Sequence, residues 1–192
     1  MEIIRGKHVS FIDSLAHDDG VHLDIGTGDG RFVRHVAQNQ PHSLVIGLDA
    51  CRENLHEVSR RAPANAIFVI ANAQTLPPEL DSTATQITIN FPWGSLLEGL
   101  VENDAALLDG LVRVARQDAK IELRLNGGAL AEAGWSLDEG TRQIQHNLSA
   151  VGFDMRPGIA LTTHDLKACP TTWAKRLAFG RDPRANYLRG KL

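Results

Sequence analysis

Five runs of apolar and β-branched residues recur along the chain: "VHLDIG" at 21–26, "SLVIGLD" at 43–49, "AIFVIANA" at 66–73, "TQITINF" at 85–91 and "AKIELRL" at 119–125. A run such as "LVIGLD" is apolar without alternation, the mark of a strand covered on both faces of a parallel sheet. Longer amphipathic runs separate them and predict helices starting near Gly30, Arg52, Gly94 and Leu137. Strand–helix–strand order in one sheet implies right-handed crossovers. Beyond Val151 the pattern changes. "FDMRPGIALT" and "RANYLRGKL" read as a terminal strand pair, with "TTWAKRLAF" as a short helix between them. The expectation is one doubly wound α/β domain over 1–192, with residues 1–20 as an N-terminal extension in the form of a hairpin.

Composition narrows the class. The 192 residues are 43% hydrophobic and 22% charged, which suits one globular core. No apolar stretch is long enough for a bilayer, and "MEIIRGKHVS" lacks the pattern of a signal peptide. Cys51 and Cys169 stand far apart with no metal or redox spacing, as expected of a reduced cytoplasmic protein without a disulfide. The eight histidines form neither HxH nor HExxH, so no metal is expected. A net charge of −3 argues against wholesale coating of nucleic acid. Charge is uneven, however: Lys175, Arg176, Arg181, Arg184, Arg189 and Lys191 face one acid, Asp182, in the last segment, and Arg5 and Lys7 could join them.

The first run ends in "LDIGTGDGR", with Gly26, Gly28 and Gly30 interleaved by Thr27 and Asp29. Glycines let the backbone turn tightly and approach a ligand, and the following helix offers free amide groups. A dinucleotide site would want a further glycine where Arg31 stands. Asp24 lies two residues before the loop, a poor neighbour for a phosphate and a good one for an ammonium group. The second strand ends at Asp49, placed to accept both hydroxyls of a ribose. Backbone groups near Asn72 and Ala73 could read an adenine edge. Ammonium, ribose and adenine in that order describe S-adenosylmethionine.

"NFPWGSLL" (90–97) closes the fourth strand and therefore borders that ligand, because open α/β sheets bind beyond the carboxyl ends of their strands. A second tryptophan, Trp173, lies in the basic "TTWAKR" segment. Trp93 and Trp173 would make a slot one nucleobase thick, suited to a base extruded from its stack. Phe91 and Pro92 would stiffen the strand exit.

"LDIGTGDGR", "FPWGSLL" and above all "WAKRLAFGR" resemble the aminoglycoside-resistance 16S rRNA methyltransferases of the KamB/NpmA type, which modify N1 of the decoding-site adenine, adenine-1408. The resemblance spans nearly the whole chain. It implies a class I methyltransferase fold, Rossmann-like, with a seven-stranded, mostly parallel sheet whose last strand is antiparallel and with helices on both faces. Asp24, the 26–30 loop, Asp49, Ala73, Gln74, Asn90 and Ser95 would surround the donor. Trp93 and Trp173 would sandwich the flipped base, with Thr171 beside them. Lys175, Arg176, Arg181 and Arg184, joined by Arg60, Arg61, Arg5 and Lys7, would hold the RNA of a 30S subunit, and the enzyme would act as a monomer.

The chain departs from that family at four places. A lysine-rich extension between the second and third strands is replaced by "SRRAPANAIF", and the link "NGGALAEAGW" is short. Gln74 stands where the family commonly has Glu, and Asn90 where it has an apolar residue. "NFPW" also partly imitates the Asn/Asp-Pro-Pro-aromatic turn of adenine amino-group methyltransferases and the "NFPDPW" of tRNA guanine-N7 methyltransferases. Those substrates, a small molecule, or a non-catalytic binding role therefore stand as alternatives.

Overall fold

The structure, a computed structural model, describes residues 1–11, 20–180 and 182–192. A hairpin of β1 (Glu2–Arg5) and β2 (His8–Phe11) comes first, then β3 (Val21–Ile25), α1 (Arg31–Asn39), β4 (Leu44–Asp49), α2 (Arg52–Ser59) and β5 (Ala66–Ile70). β6 (Ala84–Asn90), α3 (Gly94–Val101), α4 (Ala105–Val114) and the long β7 (Ala115–Asn126) follow. The remainder is α5 (Gly127–Glu132), α6 (Leu137–Ala150), β8 (Asp154–Met155), β9 (Ile159–Ala160), α7 (Thr163–Ala168), α8 (Thr172–Phe179) and β10 (Ala185–Lys191).

The strands form one sheet in the order β2-β1-β5-β4-β3-β6-β7-β10-β8, with β9 also on β10. β5, β4, β3, β6 and β7 are mutually parallel, and β10 is antiparallel to β7. Strand order reverses at β3, which puts the ligand crevice of such a sheet between β4 and β6. β1 pairs antiparallel with β5 and extends the opposite edge.

Burial explains why "LVIGLD" shows no alternation. Val45 packs with Val33, Leu55 and Phe68 beneath α1 and α2, whereas Leu44, Ile46 and Leu48 belong to the larger core under α3, α4 and α6. Each face needs its own apolar set, so every position is apolar. Gly47 is the exception because a Cβ there would meet Val33 and Phe68 at 2.8 and 3.0 Å.

Three expectations are corrected in detail. The third strand stops at Ile70 rather than 73; Asn72 caps a 3-10 turn over Ala73–Thr75 by accepting from the Gln74 amide. α4 was not foreseen, although Asp104 signals it by accepting from Leu107 N at 2.9 Å. The penultimate strand is split into β8 and β9, with Arg156–Gly158 between them, where Pro157 has no amide hydrogen to give to a ladder. Among the described residues no helix is long and apolar enough to cross a membrane.

One buried polar side chain docks α6 on α3. The last carbonyls of a helix lack intrahelical partners, and Asn147 Nδ2 donates to Leu100 O and Val101 O at 2.9 and 3.0 Å. Replacing it leaves both carbonyls buried and unpaired. Asn147→Ala is expected to lower stability by about 1–3 kcal/mol in urea denaturation, whereas substitution of the exposed Ser149 on the same helix should stay within about 0.5 kcal/mol.

Candidate active site

The carboxyl ends of β3, β4, β5 and β6 open onto a cavity of about 540 Å³. Its wall holds Asp24, Gly26, Thr27, Gly28, Asp29, Asp49, Ala73, Gln74, Asn90 and Ser95, together with Phe91, Pro92, Trp93, Thr171 and Trp173. Residues from five separate segments of the sequence analysis thus meet in one place. Gly30 does not line the cavity.

The loop after β3 shows why. Gly26 N and Thr27 N donate to Leu48 O at 2.8 and 3.0 Å, which ties the loop to β4. Gly28 N donates to Asp49 Oδ2 at 2.8 Å. Gly28 has φ 55° and open space where a Cβ would stand, so a ligand can approach its backbone. Gly30 instead faces Phe68 and Val58, which a Cβ would meet at 2.6 and 2.8 Å. Its small size lets α1 seat on the sheet. Asp49 spends Oδ1 on Cys51 N at 2.8 Å and on Asn54 Nδ2 at 3.3 Å. A carboxylate has about four acceptor sites, so capacity remains for hydroxyl groups in the cavity. Gln74 Nε2 is turned to Asp104 Oδ2 at 3.2 Å.

Asp24 is 1% exposed and still carries a carboxyl group on the cavity wall. Thr88 Oγ1 and Asn90 Nδ2 donate to its Oδ1 at 2.7 and 2.9 Å. Burial pushes the group up to about 6, although the donated hydrogen bonds and the Arg124 guanidinium pull the other way. His22, on the same strand, is held down to about 4 by burial and then by Arg124. Its Nε2 lies 3.1 Å from Thr88 Oγ1. His22, Thr88 and Arg124 were absent from the sequence reading; alternation along β3 pairs His22 with Asp24 on one face, and this was the one signal for any of them.

The tryptophans meet, but not as an open slot. Trp93 and Trp173 stack on each other with centroids 5.2 Å apart and planes at 28°. A base between two rings needs about 7 Å, so the slot is closed and one ring must move outward to admit a base. Phe91, expected to stiffen the strand exit, is an anchor there: it is buried, has φ 52°, and packs with Leu166, Cys169, Ala174 and Ala185. That cluster seats α7 and α8, and so Trp173, over the end of β6. Thr171 accepts from Ala174 N at 2.9 Å and caps α8. Thr172 Oγ1 donates to Asp29, joining α8 to the glycine loop.

The basic residues divide. Arg176 lies over the Trp173 ring at 5.1 Å and reaches the cavity, and Lys175 is exposed beside it. Arg184 forms two bonds to Asp182, at 2.8 and 2.7 Å. Arg181 lies outside the described residues. Arg5, Lys7, Arg60 and Arg61 are not brought to the cavity. Because β1 runs antiparallel to β5, its turn at Gly6 stands near the start of β5, where Gly6 N donates to Ser59 Oγ at 2.8 Å. These four side chains occupy the amino end of the sheet, opposite the site.

The sequence over residues 2–192 matches the family described as NpmA: 16S rRNA (adenine(1408)-N(1))-methyltransferase. The chain belongs to this family. A 16S rRNA (adenine(1408)-N(1))-methyltransferase of Escherichia coli is 34% identical over 184 residues, covering 85% of this chain and 83% of that one. One of Streptoalloteichus hindustanus is 31% identical, with 94% and 90% covered. The solved structure of 16S rRNA methyltransferase KamB aligns over 100% and 99% of the two chains with TM-score 0.86 at 26% identity. Enzymes of this family are methyltransferases that draw on S-adenosylmethionine, and the methyltransferase described here has a cavity whose residues fit that group. An anionic wall at Asp24, open backbone at Gly28 and spare acceptor capacity at Asp49 match its cationic and hydroxyl-bearing parts.

In this methyltransferase the buried charge sets a pH dependence. Asp24 ionises near 3.8 when unfolded and near 6 when folded, so its ionised form costs stability above about 6 and that cost is relieved progressively as pH falls from about 6 to about 3.8. His22 acts in reverse: its contribution is lost as pH falls from 6.5 towards about 4. Asp24→Asn is expected to raise the Tm at pH 8, by the equivalent of up to about 3 kcal/mol, with about half of that gain left at pH 5 and none below about pH 3.8. The same variant should lose binding of S-adenosylmethionine in calorimetry.

Proposed function

We propose that this chain transfers the methyl group of S-adenosylmethionine to N1 of the decoding-site adenine of 16S rRNA, within the 30S subunit, and thereby confers aminoglycoside resistance. The observation that carries the reading is the meeting of Trp93 and Trp173 on one rim of the cavity whose floor is Asp24 and Asp49. When bound, S-adenosylmethionine supplies a methyl group on a positively charged sulfonium. Asp24 would hold its ammonium, Asp49 its ribose hydroxyls, and the backbone at Ala73 and Gln74 its adenine.

The rest of the chemistry asks for position rather than proton transfer. Adenine N1 carries an in-plane lone pair, so no general base is required, and alignment of that atom with the methyl group is the main demand. The two indole faces would hold the base, and N1 methylation leaves the ring cationic, a species that Trp faces favour by about 0.5–2 kcal/mol. Arg176, already over Trp173, and Lys175 would meet RNA phosphates.

One contact weighs against transfer to the exocyclic amine. Such enzymes need the Asn carbonyl groups of the turn as acceptors. Asn90 Oδ1 instead accepts from Arg124 Nη1 at 2.8 Å, and its amide nitrogen is turned to Asp24. An adenine amino group would have to displace Arg124.

The test is transfer of labelled methyl to intact 30S subunits, with naked rRNA and tRNA in parallel and a reverse-transcription stop to locate the product. Label on 30S with a stop at the decoding-site adenine is expected. Trp93→Ala and Trp173→Ala should each reduce transfer by about 5- to 150-fold or more, the worth of one stacking face, with donor affinity kept. Label on tRNA alone, or equal activity in both variants, would defeat the reading.

A further inference from the structure

Beneath the donor side of the cavity, three neighbouring strands carry a directed set of hydrogen bonds. Asp24 of β3 stands opposite Thr88 of β6, and Asn90 of β6 opposite Arg124 of β7. Arg124 Nη1 donates to Asn90 Oδ1 at 2.8 Å, and Asn90 Nδ2 donates to Asp24 Oδ1 at 2.9 Å. From the other side Thr88 Oγ1 donates to the same oxygen at 2.7 Å, and His22 Nε2 lies 3.1 Å from Thr88 Oγ1.

The direction of each bond is forced. Arginine has donors and no acceptor, so Asn90 must give Arg124 its oxygen, and only its N–H₂ is left for Asp24. A Thr hydroxyl has one proton; once that goes to Asp24, the oxygen accepts from His22, which fixes the histidine proton on Nε2. Both arms converge on Oδ1, and neither uses Oδ2. Arg124 is itself held. Its guanidinium lies 5.2 Å from the Tyr187 ring and 5.8 Å from the Phe32 ring, with Glu122 at 3.6 Å, and its side chain is 19% exposed.

We infer that Arg124 and Asn90 act as a positioning pair for the methyl donor: Arg124 locks the Asn90 amide so that it donates to Asp24 Oδ1, which keeps the buried carboxylate charged and leaves Oδ2 to receive the donor's ammonium. The inference rests on the donor reading given above and adds to it Arg124, which does not line the cavity and acts through Asn90, which does. It also gives a purpose to Asn90, whose side chain is turned between Arg124 and Asp24. An apolar side chain there would leave Asp24 with the hydroxyl groups of Thr88 and Thr27 alone.

The pair has a signature that packing alone lacks. The titratable and charged groups facing Asp24 are Arg124 from β7, His22 from its own strand and the Cys169 thiol from the α7–α8 corner. Loss of the amide donor or of the guanidinium makes the carboxylate easier to protonate, so donor affinity relative to wild type should fall near neutral pH and converge with it as pH rises. Titration of the donor's own α-amino group at about 8 cancels from that ratio. The experiment measures binding of S-adenosylmethionine by calorimetry from pH 5.5 to 9 for the wild-type chain, Asn90→Leu, Arg124→Met and Arg124→Lys. Wild-type affinity is expected to drop below about pH 6. In Asn90→Leu and Arg124→Met the drop should begin at higher pH, with at least about tenfold weaker binding at pH 6.5 and near-wild-type binding at pH 9. Arg124→Lys, which keeps the charge and a donor, should lie between.

An equal loss of affinity at every pH, or no loss, would overturn the positioning role while leaving the donor reading intact. A wild-type chain that binds no S-adenosylmethionine at any pH would overturn the donor reading and the pair's role with it. A carboxyl-carbon NMR titration of Asp24 without ligand gives an independent readout. An upward move of the Asp24 midpoint in Asn90→Leu supports the lock, and an unmoved midpoint refutes it.

Discussion

A carboxylate buried at the end of the central strand is the constraint around which this site is arranged. Burying a charge is costly unless every neighbour helps it, and the neighbours of Asp24 comply. Thr88 and Asn90 give it hydrogen bonds, Arg124 gives it a nearby positive charge, and His22 is kept neutral. The set is incomplete, since burial still raises the group to about 6. That residual cost is a usable one: a cationic group placed against Asp24 would recover it.

The second requirement is to bring together aromatic rings eighty positions apart in the chain. Their backbones have no ladder in common. The contact is made by Phe91, whose backbone is left-handed and whose buried ring packs in a cluster with Leu166, Cys169, Ala174 and Ala185. A non-glycine residue in that region is strained, and the strain sits at the exit of β6, where the chain must release Trp93 to the rim. Thr172 then ties α8 to Asp29, so donor loop and tryptophan helix are linked directly. The closed stack at 5.2 Å follows from the same economy. The half-buried Trp93 and the exposed Trp173 cover each other's faces.

Much of the architecture was legible because it is written in local periods. Unbroken apolar runs marked β4 and its neighbours, since two covered faces demand them. The glycine loop and Asp49 were readable for the same kind of reason: a tight turn at a strand end and an acid at the next strand end are fixed by backbone geometry. Charge was less legible. Arg5, Lys7, Arg60 and Arg61 are basic and exposed, and the antiparallel pairing of β1 with β5 sends them to the amino end of the sheet, away from the cavity. No run of sequence carries that information.

By itself, then, the sequence determined the five parallel strands and the helices α1, α2, α3, α6 and α8, though not α4, α5 or α7, together with the place of the cavity at the carboxyl ends of the strands and most of its wall, because these depend on hydrophobic period and on residue type at a strand end. Only the tertiary structure decided how Asn90 faces, which glycine packs and which stays open, and whether the tryptophans stand apart or together. Each of those is settled by a partner distant in sequence. Arg124 chooses the orientation of the Asn90 amide, Phe68 and Val58 require Gly30 to be small, and the Phe91 cluster sets where Trp173 lies. Donor direction, steric room and docking are properties of neighbours in space, and a chain acquires those neighbours only by folding.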